Sequence, residues 1–424
     1  MKSSFLLIIL LSLLSCCKDD NKKENTILNN RGEITFLPYL WKYQINVDGK
    51  INHNPELRNN MVFGGNVIIP TTENSKSRFL TCLNSVNGQK QWQWNDWYQP
   101  LTEGGDFTWD VRHNNHLHWT TGSRRYTIDL ATGENVFRHR NEDLFSFSSR
   151  FSSDQDEIYF NSQINTDDGF IVYPIFKSNI YNSEIKEVLR IPFSKDTLGV
   201  ENRTKSPDWI TPISFDGKKY LFIISAQAYP EWYYDQRVNL YNLTDNKWIY
   251  RDKIAAIPKQ NNGGWSKLIG NKFYFTAGRE MFSYDVFTGT QIWKREFPHD
   301  FTFSGFEIFE NIIVANCENG RTYGLNLLNG TIIWETEGSG TSSKLQNRIM
   351  NGIAYFVGGG PIYVYAKDIK TGKTIWKLDP LLFEKDEGGA IWRKEINVIP
   401  AQNGEKPKIV ICSQRYAYCF EALH

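Results

Sequence analysis

Residues 284–293 read YDVFTGTQIW: a short alternating strand with an aspartate, a polar turn closed by Gly289, and Trp293 four residues after that glycine. The pattern recurs as CLNSVNGQKQW from residue 82, YTIDLATGENVF from 126, YGLNLLNGTIIW from 323 and YAKDIKTGKTIW from 365. Each glycine has its aromatic four places on: Gly88 and Trp92, Gly133 and Phe137, Gly289 and Trp293, Gly330 and Trp334, Gly372 and Trp376. Thr-Gly or Asn-Gly between two strands is the chemistry of a tight hairpin, because glycine takes a positive φ at little cost. The stretch is therefore a repeating unit.

The repeat is longer than its hairpin. Residues 108–137 align without a gap on 264–293, placing Trp109 on Trp265, Gly122 on Gly278, Asp129 on Asp285 and Gly133 on Gly289. Each unit reads as four short strands, the first opening after a Gly-Gly pair. Glycines 289, 330 and 372 are 41 and 42 residues apart, and four-stranded units with periods in the forties predict propeller blades. The interval from Gly133 to Gly289 is 156 residues, room for two longer blades. Copies without the glycine stand there, IYNSEIKEVLRIPF from 180 and VNLYNLTDNKWIYRD from 238. Seven blades then end near residues 92, 137, 189, 249, 293, 334 and 376, and the C-terminal segment supplies three more strands. The missing fourth is YLWKYQI, 39–45, which shares the Trp-Lys core of QIWKREF. Pairing the two ends closes the ring and removes two open sheet edges. The expectation is an all-β propeller over residues 36–424 with eight blades, or seven if one weak unit is an insertion.

The first twenty residues, MKSSFLLIILLSLLSCCKDD, join Lys2 to an apolar run that is too short to span a bilayer and ends at Ser15-Cys16. LLSC resembles the lipobox of bacterial lipoproteins, so residues 1–15 are expected to be a signal peptide and Cys16 the lipidated first residue of the mature chain. CKDD, residues 17–20, resembles a surface-export signal. Residues 16–35 are polar and aperiodic, and read as a tether. An outer-membrane anchor follows, with periplasmic or surface display left open. Lys and Arg number 48 against 47 Asp and Glu, so no net field draws the chain to nucleic acid. Cys82, Cys317, Cys412 and Cys419 form no Cys-x-x-Cys metal pattern. Cys412 and Cys419 flank a turn and could pair across two strands, but two buried small hydrophobes is the favoured reading.

Strand, Asp, short gap, Thr-Gly and Trp resembles the propellers built from pyrroloquinoline-quinone-type repeats, and the resemblance covers about residues 36–424. That family includes quinone-dependent dehydrogenases and non-catalytic lipoproteins, such as the propeller subunit of the outer-membrane β-barrel assembly machinery, and fold alone does not choose between them. The enzymes add a metal held by carboxylates and amides, a catalytic aspartate and usually a vicinal disulfide. The adjacent cysteines here are Cys16 and Cys17, within the signal region. No cofactor is therefore expected, and an aromatic at one place in every blade is expected to pack blade on blade.

Catalytic motifs are absent from the sequence: no Gly-x-Ser-x-Gly, His-Glu-x-x-His or phosphate-binding loop occurs. His116 and His118 stand two apart on one strand face with His113 before them, but the aligned blade has Lys272 and Tyr274 there, so no metal site is expected. In a four-stranded blade the loop leading into the first strand and the loop between the second and third share one face of the disc. AYPEWYYDQR, residues 228–237, and the long segment 192–209 belong to one blade on that face. Tyr229, Trp232, Tyr233, Tyr234, Arg237, Trp265, Trp392 and Arg393 thus form an expected rim of the residue types enriched in binding hot spots. The reading is a non-catalytic envelope lipoprotein that binds a protein partner. Its alternatives are a glycan-binding or carbohydrate-active surface lipoprotein and a degenerate quinoprotein dehydrogenase.

Overall fold

The structure is a computed structural model that describes residues 27–28, 34–46, 60–72, 78–98, 110–141, 152–162, 164–165, 171–191, 194–195, 201–202, 205–228, 234–256, 265–299, 301, 305–338, 348–358, 363–379, 392–402 and 404–422. Every sheet of a blade is antiparallel, and consecutive strands are neighbours. Blades one to seven span residues 62–94, 111–140, 152–189, 205–256, 266–296, 306–337 and 348–378. Blade eight takes three strands from 392–421 and its outermost from Tyr39–Gln44. The count is eight, and the ring closes through the termini: Trp41 lies opposite Cys419, and Tyr43 opposite Ala417.

The strand pattern follows from position. Middle strands are sandwiched between neighbouring blades, so both of their faces are apolar. In Asn66–Thr72, Val67 and Ile69 pack toward blade eight while Ile68 packs toward blade two. Outer strands alternate, as in Asn135–Arg140. Among the described residues most buried apolar side chains fall into eight clusters, each shared by two consecutive blades, so that the core is itself a ring.

The repeated aromatic joins one blade to the next. Trp41, Trp92, Trp293 and Trp334 each lie over the turn glycine of the following blade: Gly88, Gly133, Gly330 and Gly372. Each indole N–H donates to the carbonyl three residues before that glycine, at Ser85 (3.1 Å), Leu130 (3.2 Å), Leu327 (3.0 Å) and Ile369 (2.7 Å). Tyr250 does the same over Gly289 with its hydroxyl on the Val286 carbonyl. A Cβ on any of these five glycines would come within 2.4 to 2.8 Å of the ring. Glycine therefore serves twice, for a positive φ of 61° to 74° and for the seat of the ring.

Three of the eight seams depart from this interlock, the one between blades seven and eight because the chain ends replace the last turn of blade eight. Between blades two and three the ring is Phe137; the Thr127 hydroxyl donates to the Ile180 carbonyl, and Arg125 reaches Ser178 and the Asn182 carbonyl. Between blades three and four Lys186, opposite Lys177, stands at the aromatic position. Asn246, at φ 53°, stands where the glycine would be.

Two expectations are corrected. Gly64 and Gly65 form the turn between a first and a second strand, not the start of a blade, both at positive φ; the pairs at 104, 263 and 388 lie outside the described residues. Cys412 faces Ala417 and Cys419 faces Val410, so the two thiols are not opposed and form no disulfide; both are buried, in keeping with the favoured reading. The end of the segment read as a tether is also structured: Ile27–Leu28 pairs with Ile34–Phe36, which adds parallel to the outer strand of blade seven through Ile34 and Leu378.

Candidate protein-binding face

Blade four is the longest. Its second strand, Lys218–Ala228, and third, Tyr234–Asn242, compare with Lys272–Ala277 and Glu280–Asp285 in blade five. Aligned at Asn242 and Asp285, each carries three extra residues toward the face that bears loop 229–233, with Ala228 opposite Tyr234 and Ala226 opposite Gln236. Three residues at strand rise amount to about 10 Å, so this hairpin stands above its neighbours. The first strand, Lys205–Phe215, climbs with it, Lys205 opposite Gln227. The strands that follow Trp265 and begin at Trp392 start on this same face.

The base of the hairpin is a buried polar cluster. Arg237 Nη2 lies 2.7 Å from Asp235 Oδ2 and its Nε 3.1 Å from Oδ1, with both side chains at 5% exposure or less. Asn239 below donates to the Ile223 carbonyl and the Ser225 hydroxyl, and accepts from the Asp252 amide. A buried bidentate pair is costly to break from one side, roughly 3–5 kcal/mol, because the other charge is left unpaired. The ion pair lies within the third strand, and Asn239 ties that strand to the second and the fourth.

The residues expected on the rim separate accordingly. Tyr229, Trp232 and Tyr233 lie outside the described residues. Tyr234 opens the third strand of blade four, and Arg393 lies in the irregular stretch between the paired residues Trp392 and Ile396. Trp265 is half-buried: its amide donates to the Thr276 hydroxyl, its carbonyl accepts from the Thr276 amide, and its ring lies against the core between blades five and six. Arg237 and Trp392 are corrections. Arg237 is in a strand, inside the Asp235 pair, and Trp392 is 2% exposed with its ring edge-on to Tyr418 at 5.9 Å. Arg237 is interior because it lies within a middle strand, and Trp392 because its ring enters the core between blades seven and eight, which a sequence read as loop does not reveal.

The histidines belong to the seam between blades two and three. His118 is buried against the Thr127 hydroxyl at 2.8 Å, and burial, with Arg125 adding to it, holds its pKa well below the ordinary value. His116 meets the Tyr181 hydroxyl at 3.0 Å. Among the described residues no three His, Cys, Asp or Glu side chains converge as a metal site would require. Spacing from the turn puts Glu187, four residues after Ser183, at the aromatic place of blade three, and the later bulge of this hairpin brings Lys186 there instead, which an alignment of outer strands does not show.

Fold and seams define an eight-bladed propeller of quinoprotein-type repeats. Residues 237–422 match the family described as outer membrane protein assembly factor BamB, so these repeats are BamB-like. Similar solved structures include the computationally designed Ika8 protein, at 10% identity and TM-score 0.53, covering 91% of this chain and 98% of that one. Sqt1 of Saccharomyces cerevisiae has 9% identity and TM-score 0.53, covering 92% and 98%. BamB of Moraxella catarrhalis has 12% identity and TM-score 0.41, covering 72% and 77%. At such identities the likeness is one of fold. No curated protein matches the chain.

Proposed function

We propose that the protein is a lipid-anchored scaffold of the outer membrane that binds an envelope protein through the face raised by blade four. The observation that carries the reading is the extended hairpin, whose strands are tied at its base by Asn239 and whose tip is the segment YPEWY, 229–233. Three aromatics in a five-residue loop are unfavourable in water unless a surface covers them. A rigid stalk under such a loop limits the entropy lost on docking. The matched family's description, an assembly factor for outer-membrane proteins, agrees with a binding role. Cys16 at the end of the apolar run supplies the anchor.

The test uses two variants. Replacing 229–233 by Asn-Gly closes the hairpin with a turn suited to antiparallel strands, leaving the stalk in place. Capture of the envelope partner should fall by tenfold or more while the melting temperature stays within a degree or two. Cys16→Ser should move the protein from the membrane to the soluble fraction. Undiminished capture by the loop variant would exclude this face, and unchanged partitioning of the cysteine variant would exclude the anchor.

A further inference from the structure

The seam between blades three and four has lost both halves of the interlock, and a cavity of about 460 Å³ opens there on the perimeter of the disc. Its volume is in the range of small-molecule sites, roughly 300–1,000 Å³. Glu157, Tyr159 and Lys177 of blade three form one wall, Lys219, Thr244 and Asn246 of blade four the other, with Lys186 on the outer strand between them.

The charges sort into used and unused. Lys177 lies 2.6 Å from Glu157, and Lys219 lies 2.9 Å from Asp154 and 3.6 Å from Glu157. Burial works to raise the Glu157 pKa, but Lys177, Tyr159 and Lys219 together hold it below the ordinary value, so this carboxylate is charged at neutral pH. Glu187 is engaged by Arg190 at 2.9 Å. Among the described residues, Lys186 alone of the cavity's charged groups has no ion-pair partner. Val188 and Leu243 add an apolar patch beside it, and the Asn246 amide and Thr244 hydroxyl add polar groups.

Those features select a ligand. An indole is disfavoured, because the seats that hold rings elsewhere need a glycine, and Asn246 puts a Cβ there. A dianion is unmatched by a single free ammonium. We propose that the cavity binds a compact hydroxylated monocarboxylate of the size of a uronic acid residue. The carboxylate faces Lys186, the hydroxyls meet Thr244 and Asn246, and the C–H face of the ring lies on Val188 and Leu243. The ligand would bridge the one seam at which both the ring and the glycine are replaced. This site lies on the perimeter and is independent of the face proposed for the protein partner.

The experiment is titration of the full chain with D-glucuronate, D-glucose and inorganic phosphate, read by the melting temperature and by ligand-observed NMR. Glucuronate should bind saturably and raise the melting temperature, and its apparent Kd should rise with salt. Glucose should bind at least tenfold more weakly. Lys186→Gln should weaken glucuronate tenfold or more while melting like the wild type without ligand, and Lys90→Gln, on the outer strand of blade one, should bind as the wild type does. Equal binding of glucuronate and glucose, phosphate competing as well as glucuronate, no saturable binding, or full affinity in Lys186→Gln would each overturn the assignment.

Discussion

Lys367 shows what single residues contribute to this ring. It is 1% exposed in the third strand of blade seven, and its ammonium donates to the Thr336 hydroxyl, the Glu337 carbonyl and the Thr374 hydroxyl, at 2.9, 2.7 and 3.0 Å. It pins blade seven to blade six without a carboxylate in hydrogen-bonding contact. Burial lowers its pKa to about 8, against 10.5 for an ordinary lysine. Between those values the unfolded chain holds the proton and the folded chain does not, so stability rises with pH across the window. Below pH 8 both states are protonated and the full cost of burying the charge remains. Wild type should therefore gain about 2 kcal/mol relative to Lys367→Met between pH 7.5 and 10, measured by urea unfolding. The difference between the two proteins is the quantity to follow, because Cys82 and Cys317 titrate in the opposite sense, their pKa values raised by burial to about 12 and 11. None of this was legible in the sequence, where Lys367 is a lysine in an ordinary repeat; its neighbours come from the preceding blade.

At the scale of the element, strand order and turn chemistry were readable and the seam was not. YDVFTGTQIW shows its hairpin because aspartate, glycine and tryptophan act within one unit: the Asp285 carboxylate accepts from the amides of Phe287 and Thr288, and the Gly289 amide returns to the Asp285 carbonyl. At five seams, however, the ring of one unit sits on the glycine of the next, a contact across about forty residues that no local pattern contains. The closing strand was legible for the same reason as the hairpins, since the Trp-Lys core at 41–42 copies the other outer strands. Glycine substitutions separate the two roles. A Cβ added at Gly352, at φ 76°, would meet nothing within 4 Å among the described residues, whereas at Gly330, at φ 67°, it would be 2.6 Å from Trp293. Gly352→Ala should cost about 1 kcal/mol of backbone strain. Gly330→Ala should cost about 1–3 kcal/mol more, because the ring or the turn must move. Equal losses in thermal unfolding would mean that the ring seat is not a source of stability.

For the whole molecule, closure and display are separate achievements of the same chain. Blade eight is completed by Tyr39–Gln44, and its connection from third to fourth strand is therefore replaced by the chain ends. Trp376 of blade seven consequently has no turn to cap, and its indole N–H is buried without a hydrogen-bond partner among the described residues. Closure leaves the two faces unlike each other. One carries the turns between third and fourth strands, short and alike; the other carries the blade-four hairpin. Sequence order places that hairpin on its face, but reads Arg237 and Trp392 as surface groups, because their burial depends on where the strands begin and on what packs against them. The most direct test of a binding role for the raised face is photo-crosslinking in intact cells, with the crosslinking residue at Trp232 or, on the opposite face, at Leu328, which is 57% exposed in a turn of blade six. The account predicts one discrete adduct of higher mass from position 232 and none from 328; an adduct from 328 alone, or none from either, would contradict it.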